Sequence, residues 1–426
     1  MWVRIRILLL LAKGGRWTML GALLLVAGLG ESQAQPAVYR FQRPAAKRAR
    51  LPFLLQRNLI VIGATLNGKG PYNFLLDTGI SSSLITDPYL GQELNLRTQG
   101  RFLVAGAGEE RPLEAYQVND VSVVLANGVQ APQASFLLLS DDVLNLSGYV
   151  GMPIHGLLGS DVFRSFVVEI EPEQQQLTFH DPARYKVPRG RRWARLGLDM
   201  EGRKAYLTVP VQLSAALSMP AKLVLDTGAG HALSLETTSD PRLTLPAAHL
   251  RTQLGRGLNG NINGYLGRVA ALQLGRYRIP SLLTSFPDST DVALRADTPR
   301  NGNLGFELLK RFTIIIDYRR NQLLLRPNST FRDPFEHDMC GFDVLAFGPQ
   351  YRQYRLLRVE EGSPADQAGL KPGDEITSIN LLPVEFFNMS QLSRMLHSQD
   401  GRQLLFVVRR PDGELYTATV RLKRQI

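Results

Sequence analysis

A single cysteine, Cys340, among 426 residues leaves no partner for an intramolecular disulfide. It also leaves no thiol near the N-terminus to carry a lipid. Stability must therefore come from packed cores, and at roughly 100 to 200 residues per domain the chain is long enough for two to four of them. Histidine is scarce too. Of the six, no two stand closer than His231 and His249, so no local zinc-ligand spacing exists and no metal or other cofactor is implied. No Gly-x-Ser-x-Gly elbow marks a serine hydrolase. The apolar run Met19 to Leu29 has 11 residues, short of the roughly 20 a spanning helix needs, and no stable membrane span is expected.

That run has another reading. Arg4, Arg6, Lys13 and Arg16 precede it, and Ser32 and Ala34 follow at the small-residue positions of a cleavage site, so residues 1–34 read as an export signal that leaves Gln35 first. The expected location is the periplasm or the extracellular space. The formal charge of +11 falls to about +8 once that segment is removed. Lys and Arg are scattered and no nucleic-acid reading motif occurs, so nucleic acid is not an expected partner. The densest basic stretch, Arg184 to Arg195, reads as a solvated connection.

The chain repeats itself. Leu158-Gly159-Ser160-Asp161-Val162-Phe163-Arg164-Ser165-Phe166 returns as Leu304-Gly305-Phe306-Glu307-Leu308-Leu309-Lys310-Arg311-Phe312, an offset of 146 that also matches Ile170 with Ile316 and Gln176 with Gln322. Upstream, Phe74-Leu75-Leu76-Asp77-Thr78-Gly79 returns as Leu223-Val224-Leu225-Asp226-Thr227-Gly228 at an offset of 149. Each copy reads as β-rich. Leu59 to Leu66 runs into the hairpin signal Asn67-Gly68 and on through Tyr72 to Leu76; the second copy runs Tyr206 to Leu213, with a turn expected at Ser218-Met219-Pro220. Short helical turns fit Ser160 to Ser165 and Phe306 to Arg311. Asn328 to His337 reads as a linker to a third unit.

One Asp-Thr-Gly would mean little. Two, each after an apolar triplet and each about 80 residues ahead of a glycine-apolar-glycine element (Gly156 to Gly159, Gly302 to Gly305), are a pattern. An apolar strand ending this way sets a carboxylate on a tight turn at the lip of a sheet, where glycine admits a second backbone. Two such carboxylates brought together cannot both ionise, so they share a proton, one serving as base and the other as acid. These residues resemble the retropepsin and pepsin superfamily of aspartic peptidases, in the bacterial subgroup fused to a PDZ domain, from about Leu51 to Ile426. The resemblance implies a two-lobed, mainly β fold with Asp77 and Asp226 catalytic, Thr78 and Thr227 tying the loops together, and Gly79 and Gly228 supporting them. It also implies a glycine-rich flap, for which Gly106, Gly108 and Tyr265 are candidates. Ile80 and Ala229 follow the triplets where pepsins often carry serine, which suggests activity nearer neutral pH.

Gly255, Gly257 and Gly260 spell a dinucleotide fingerprint, but turn residues follow where a helix should open, so that reading fails. His231, near the second triplet, reads as a packed or surface residue. In the C-terminal unit, Glu361-Gly362-Ser363-Pro364-Ala365 and Ala368 to Ile376 resemble the PDZ core, a small α/β fold, with Cys340-Gly341-Phe342 as its carboxylate-binding loop and a protein C-terminus as its expected ligand. Leu381 stands where that family commonly has glycine. The expected domains are lobe 1 at 51–183, lobe 2 at 196–327 and PDZ at 335–426. The expected function is peptide-bond hydrolysis by a monomer, since one chain supplies both triplets. The rival reading is a catalytically silent envelope scaffold acting through the PDZ groove.

Overall fold

The computed structural model describes residues 37–104, 108, 113–258, 260–292 and 298–426. The expected signal, residues 1–34, lies outside the described residues. Among the described residues no helix is long and apolar enough to cross a membrane.

Each repeat folds as a sheet of its own. Lobe 1 is nine-stranded, with Leu59–Leu66 and Lys69–Leu76 joined at Asn67-Gly68, whose φ values of 48° and 79° are those of a tight hairpin turn. Lobe 2 is eight-stranded, its counterpart hairpin being Lys204–Gln212 with Ser218–Leu225. The turn of that hairpin differs from the sequence expectation. It is closed by Leu213 N–H donating to Leu217 O at 2.8 Å, and Ser218 to Pro220 already belong to the returning strand. Burial decides this, because Met219 packs into the core opposite Val211.

A third, six-stranded sheet joins the lobes, in the order Ala194–Gly197, Gln322–Pro327, Phe312–Asp317, Val167–Glu171, Gln176–His180, Arg48–Pro52. At its centre Val168 faces Ile316, Glu169 faces Ile315 and Ile170 faces Ile314. With the repeat offset of 146, Glu169 and Ile315 are equivalent positions, so the pseudo-twofold axis passes through this pair. Lobe 1 also starts before Leu51: Arg48–Pro52 pairs with Gln176–His180, and Arg40–Phe41 pairs with Val129–Leu139.

Past lobe 2, the stretch Asn328 to His337 is fastened down rather than free. Arg311, almost fully buried, donates to the carbonyls of Asp333 and Pro334, and its guanidinium lies 3.4 Å from the Phe335 ring centroid. The third unit is a six-stranded sheet with two short helices, Pro364–Gln367 and Met389–Leu396, the latter opened by a capping box of Asn388 and Gln391. Ile314, fully buried in the central sheet, tests how far the lobes fold as one. Ile314→Ala should cost about 2–5 kcal/mol, and denaturant unfolding should show probes in both lobes losing stability together rather than one lobe melting early.

Candidate active site

The strand Lys69–Leu76 sends Phe74 and Leu76 into the core, and Leu76 runs beside Leu158 of the parallel strand Gly156–Leu158. Where the chain leaves the sheet, Asp77 N–H donates to Leu158 O at 2.9 Å. Lobe 2 repeats this: Leu225 lies beside Leu304, and Asp226 N–H donates to Leu304 O at 3.0 Å. Both triplets thus begin from a fixed point.

The two triplets meet through their threonines. Thr78 N–H donates to Thr227 Oγ1 and Thr227 N–H to Thr78 Oγ1, each at 3.0 Å. Each hydroxyl passes its own proton across the axis, Thr78 to Leu225 O at 2.6 Å and Thr227 to Leu76 O at 2.9 Å. Both threonines are fully buried, so every donor and acceptor in this reciprocal set is satisfied without water. Glycine at the third position is required by closeness. A β-carbon at Gly79 would come 2.7 Å from Asp226 Oδ1, and one at Gly228 would collide with the Asp77 carboxyl.

Each carboxyl therefore lies against the other's loop. Gly79 N–H donates to Asp77 Oδ1 at 2.6 Å and Gly228 N–H to Asp226 Oδ1 at 3.1 Å. The pair is within hydrogen-bonding reach of itself. Burial, then the charge of Asp226, hold the Asp77 carboxyl well above the usual carboxylate range, against the lowering pull of Gly79 N–H and Lys204. A third group, Asn303, donates its Nδ2 to Asp226 Oδ2 at 2.8 Å. Sequence reading passed over it because it hides inside a glycine-apolar-glycine element. The signal was there, since Leu157 occupies the matching position in lobe 1. Tyr318, buried close by, has its phenol pushed up by burial and then by the Asp77 charge.

Two hairpins reach between the lobes. In lobe 2, His249–Gly257 and Gly260–Leu274 form one whose tip residue, Leu258, packs against the lobe 1 cluster of Leu59, Val61, Leu75, Leu84 and Leu157, which Ile80 also joins. Arg256 beside the tip donates to Val143 O at 2.7 Å. Tyr265 sits in the body of this hairpin, paired with Arg251 and edge-on to His249 at 5.2 Å, so Leu258 and not Tyr265 crosses between lobes. The fingerprint glycines 255, 257 and 260 lie on the same hairpin and open no helix. In lobe 1 the hairpin is Thr98–Val104 with Leu113–Leu125; Gly106 lies outside the described residues, and Gly108 N–H donates to Asp291 O of lobe 2 at 3.2 Å. His231 is half-buried, its carbonyl accepting Glu307 N–H at 3.2 Å.

The loop at Cys340-Gly341-Phe342 does not present free N–H groups, which corrects the sequence expectation. Asp338 fills it from within: Cys340 N–H donates to its Oδ1 at 3.1 Å, and Gly341 and Phe342 N–H donate to its Oδ2 at 2.6 and 3.2 Å. Burial outweighs those three donors and pushes Asp338 up to about 7. Cys340 is fully buried, and burial pushes its thiol up, so it is no nucleophile. Phe342 packs edge-on against Phe406. Farther along, the helix Leu146–Val150 of lobe 1 lies on the edge strand Phe342–Phe347. The fit is close. A β-carbon at Gly148 would come 2.7 Å from Leu345 Cδ1, and one at Gly151 would come 2.5 Å from Met389 Cβ.

Residues 62–162 match the family model described as aspartyl protease, a span that includes Asp77-Thr78-Gly79 and Gly156 to Gly159, and residues 356–410 match the PDZ domain model. Among solved structures the chain is similar to basic 7S globulin from soybean, at 11% identity and a TM-score of 0.41, over 66% of this chain and 95% of that one.

The threonine set makes its own prediction. Thr78→Val and Thr227→Val should each destabilise by about 1–3 kcal/mol, because each leaves buried partners unpaired. The double variant should lose less than the sum, since the four bonds form one network. Thermal unfolding of the three proteins checks this, and additive losses would mean the two threonines act separately.

Proposed function

We propose that this chain, which carries an aspartyl protease domain and a PDZ domain, is an exported endopeptidase that hydrolyses peptide bonds with water activated between Asp77 and Asp226. The observation that supports this best is the facing of two carboxyls across a locked pair of loops, one of them biased by burial to keep its proton. The ionised member takes a proton from water, and the water attacks the peptide carbonyl. The protonated member steadies the oxyanion and then protonates the leaving nitrogen. The hairpin that carries Leu258 across to lobe 1 suits an extended substrate, held between that hairpin and the sheet. The basic, apolar and small-residue pattern of residues 1–34 supports export.

In this reading the PDZ domain braces lobe 1. Its carboxylate loop is taken by Asp338, and the far end of its groove by the helix Leu146–Val150. Arg57 N–H donates to Ser390 Oγ at 3.4 Å, and Thr252 of lobe 2 bonds Glu360. A protein C-terminus enters only after these contacts give way.

Two experiments bear on these points. A diverse peptide pool, incubated with mature protein across roughly pH 3 to 8, should be cleaved by wild type and by neither Asp77→Asn nor Asp226→Asn, as read by mass spectrometry. The raised Asp77 carboxyl should carry activity to neutral pH, with loss on the alkaline side as that proton leaves. A folded wild type that cleaves nothing would favour the silent scaffold. For the brace, fluorescence anisotropy should find wild type indifferent to whether peptides end in a free carboxylate or an amide. Asp338→Ala combined with Gly148→Leu should bind the carboxylate form at least about tenfold more tightly, as charge-assisted bonds to three freed N–H groups allow. Tight carboxylate-dependent binding by wild type would overturn the brace.

A further inference from the structure

The internal repeat invites a comparison of the two aspartates position by position, and they are not equivalent. Leu157 and Asn303 occupy the same place in the two copies, the middle of the glycine-apolar-glycine element. Leu157 pairs with Leu75 and packs in an apolar cluster, 8% exposed. Asn303 pairs with Val224 on one side and Ser234 on the other, and turns its Nδ2 onto Asp226 Oδ2 at 2.8 Å. Its own Oδ1 is buried and hydrogen-bonded to no described residue. A buried amide oxygen left without a partner is costly, and the leucine of the other lobe shows that the fold holds an apolar side chain at this position. What the asparagine adds is a donor aimed at one carboxylate of the pair.

We propose that Asn303 is a positioning residue that breaks the symmetry of the pair, holding Asp226 as the ionised, water-activating member and leaving the shared proton on Asp77. A donor to a carboxylate favours its charged form, and in a coupled pair whatever holds one member ionised holds the proton on the other. Asp226 Oδ1 and Oδ2 are both engaged, by Gly228 N–H and Asn303, while Asp77 receives Gly79 N–H. Of the other groups that act on Asp77, Lys204 favours its ionised form and works against this bias, and Tyr318, itself near Arg164, is a neutral phenol. Burial deeper than that of Asp226, and the charge of Asp226, keep Asp77 protonated on the same side of the balance.

The consequence for catalysis rests on the peptidase reading; the test does not. Carboxyl-carbon NMR titration of the full mature chain, with the two resonances assigned from Asp77→Asn and Asp226→Asn proteins, reads each aspartate directly. Asn303→Leu, which installs the residue lobe 1 already carries, should lower the Asp77 titration by about one pH unit, because the shared proton is no longer confined to that side. Asn303→Ala is the smaller change should leucine not fold. The swap Leu157→Asn with Asn303→Leu should move the proton preference to Asp226. In peptide hydrolysis the acid limb of kcat/KM should rise by the same amount in Asn303→Leu. Unchanged titration of both aspartates in the variants overturns the proposal whether or not peptides are cleaved. Shifted titration in a protein that cleaves nothing sustains the asymmetry and removes only the peptidase reading.

Discussion

The reciprocal bonding of Thr78 and Thr227 is the constraint on which the rest of the molecule depends. Each hydroxyl caps the carbonyl that precedes the opposite aspartate, so neither loop has a satisfied backbone without the other. The buried sheet beneath, centred on Val168 to Ile170 and Ile314 to Ile316, brings the loops to bonding distance. The loops in turn fix where the carboxyls stand. A site of this kind is held from below by packing and from within by hydrogen bonds, and it leaves little for side-chain flexibility to decide.

The third unit is tied to that body more closely than a linker would allow. Arg311 holds the connecting carbonyls and stacks on Phe335, and Arg268 donates to the carbonyl of Phe335 at 2.8 Å. Gly148 and Gly151 let lobe 1 approach the edge strand and the helix Met389–Leu396 with no side chain between. The lobe 1 cluster beneath that contact includes Val150 and Leu157 and takes the hairpin tip Leu258. One apolar cluster is thus shared by the neighbourhood of Asp77, the lobe 2 hairpin and the seat of the PDZ domain.

Much of this was legible in the residues. The duplicated triplets, the Asn67-Gly68 turn and the apolar strands ending in aspartate are local patterns, and local patterns survive folding. What stayed hidden depends on partners distant in sequence. Nothing near Asp338 announces that its carboxylate turns into the loop that follows it. Leu258 reads as one more apolar residue until the hairpin carries it to lobe 1. The turn expected at Ser218 to Pro220 is instead the start of the returning strand, because Met219 is buried in the core. The fastened linker was missed because its anchor, Arg311, lies within a repeat segment read for its helical turn.

The pair Glu169 and Ile315 sits on the pseudo-twofold axis. In a dimer of identical halves, a residue at that point meets only its own copy. Two isoleucines would pack there, whereas two glutamates would face one another with like charge, which is destabilising across a strand pair. Once both halves belong to one chain, the two positions are free to differ. Here one carries a carboxylate that engages His180 Nε2 at 2.9 Å while the other stays apolar. A single polypeptide can thus place a charged group on an axis that exact symmetry would forbid, and the unequal surroundings of Asp77 and Asp226 are that same freedom exercised at the carboxyl pair.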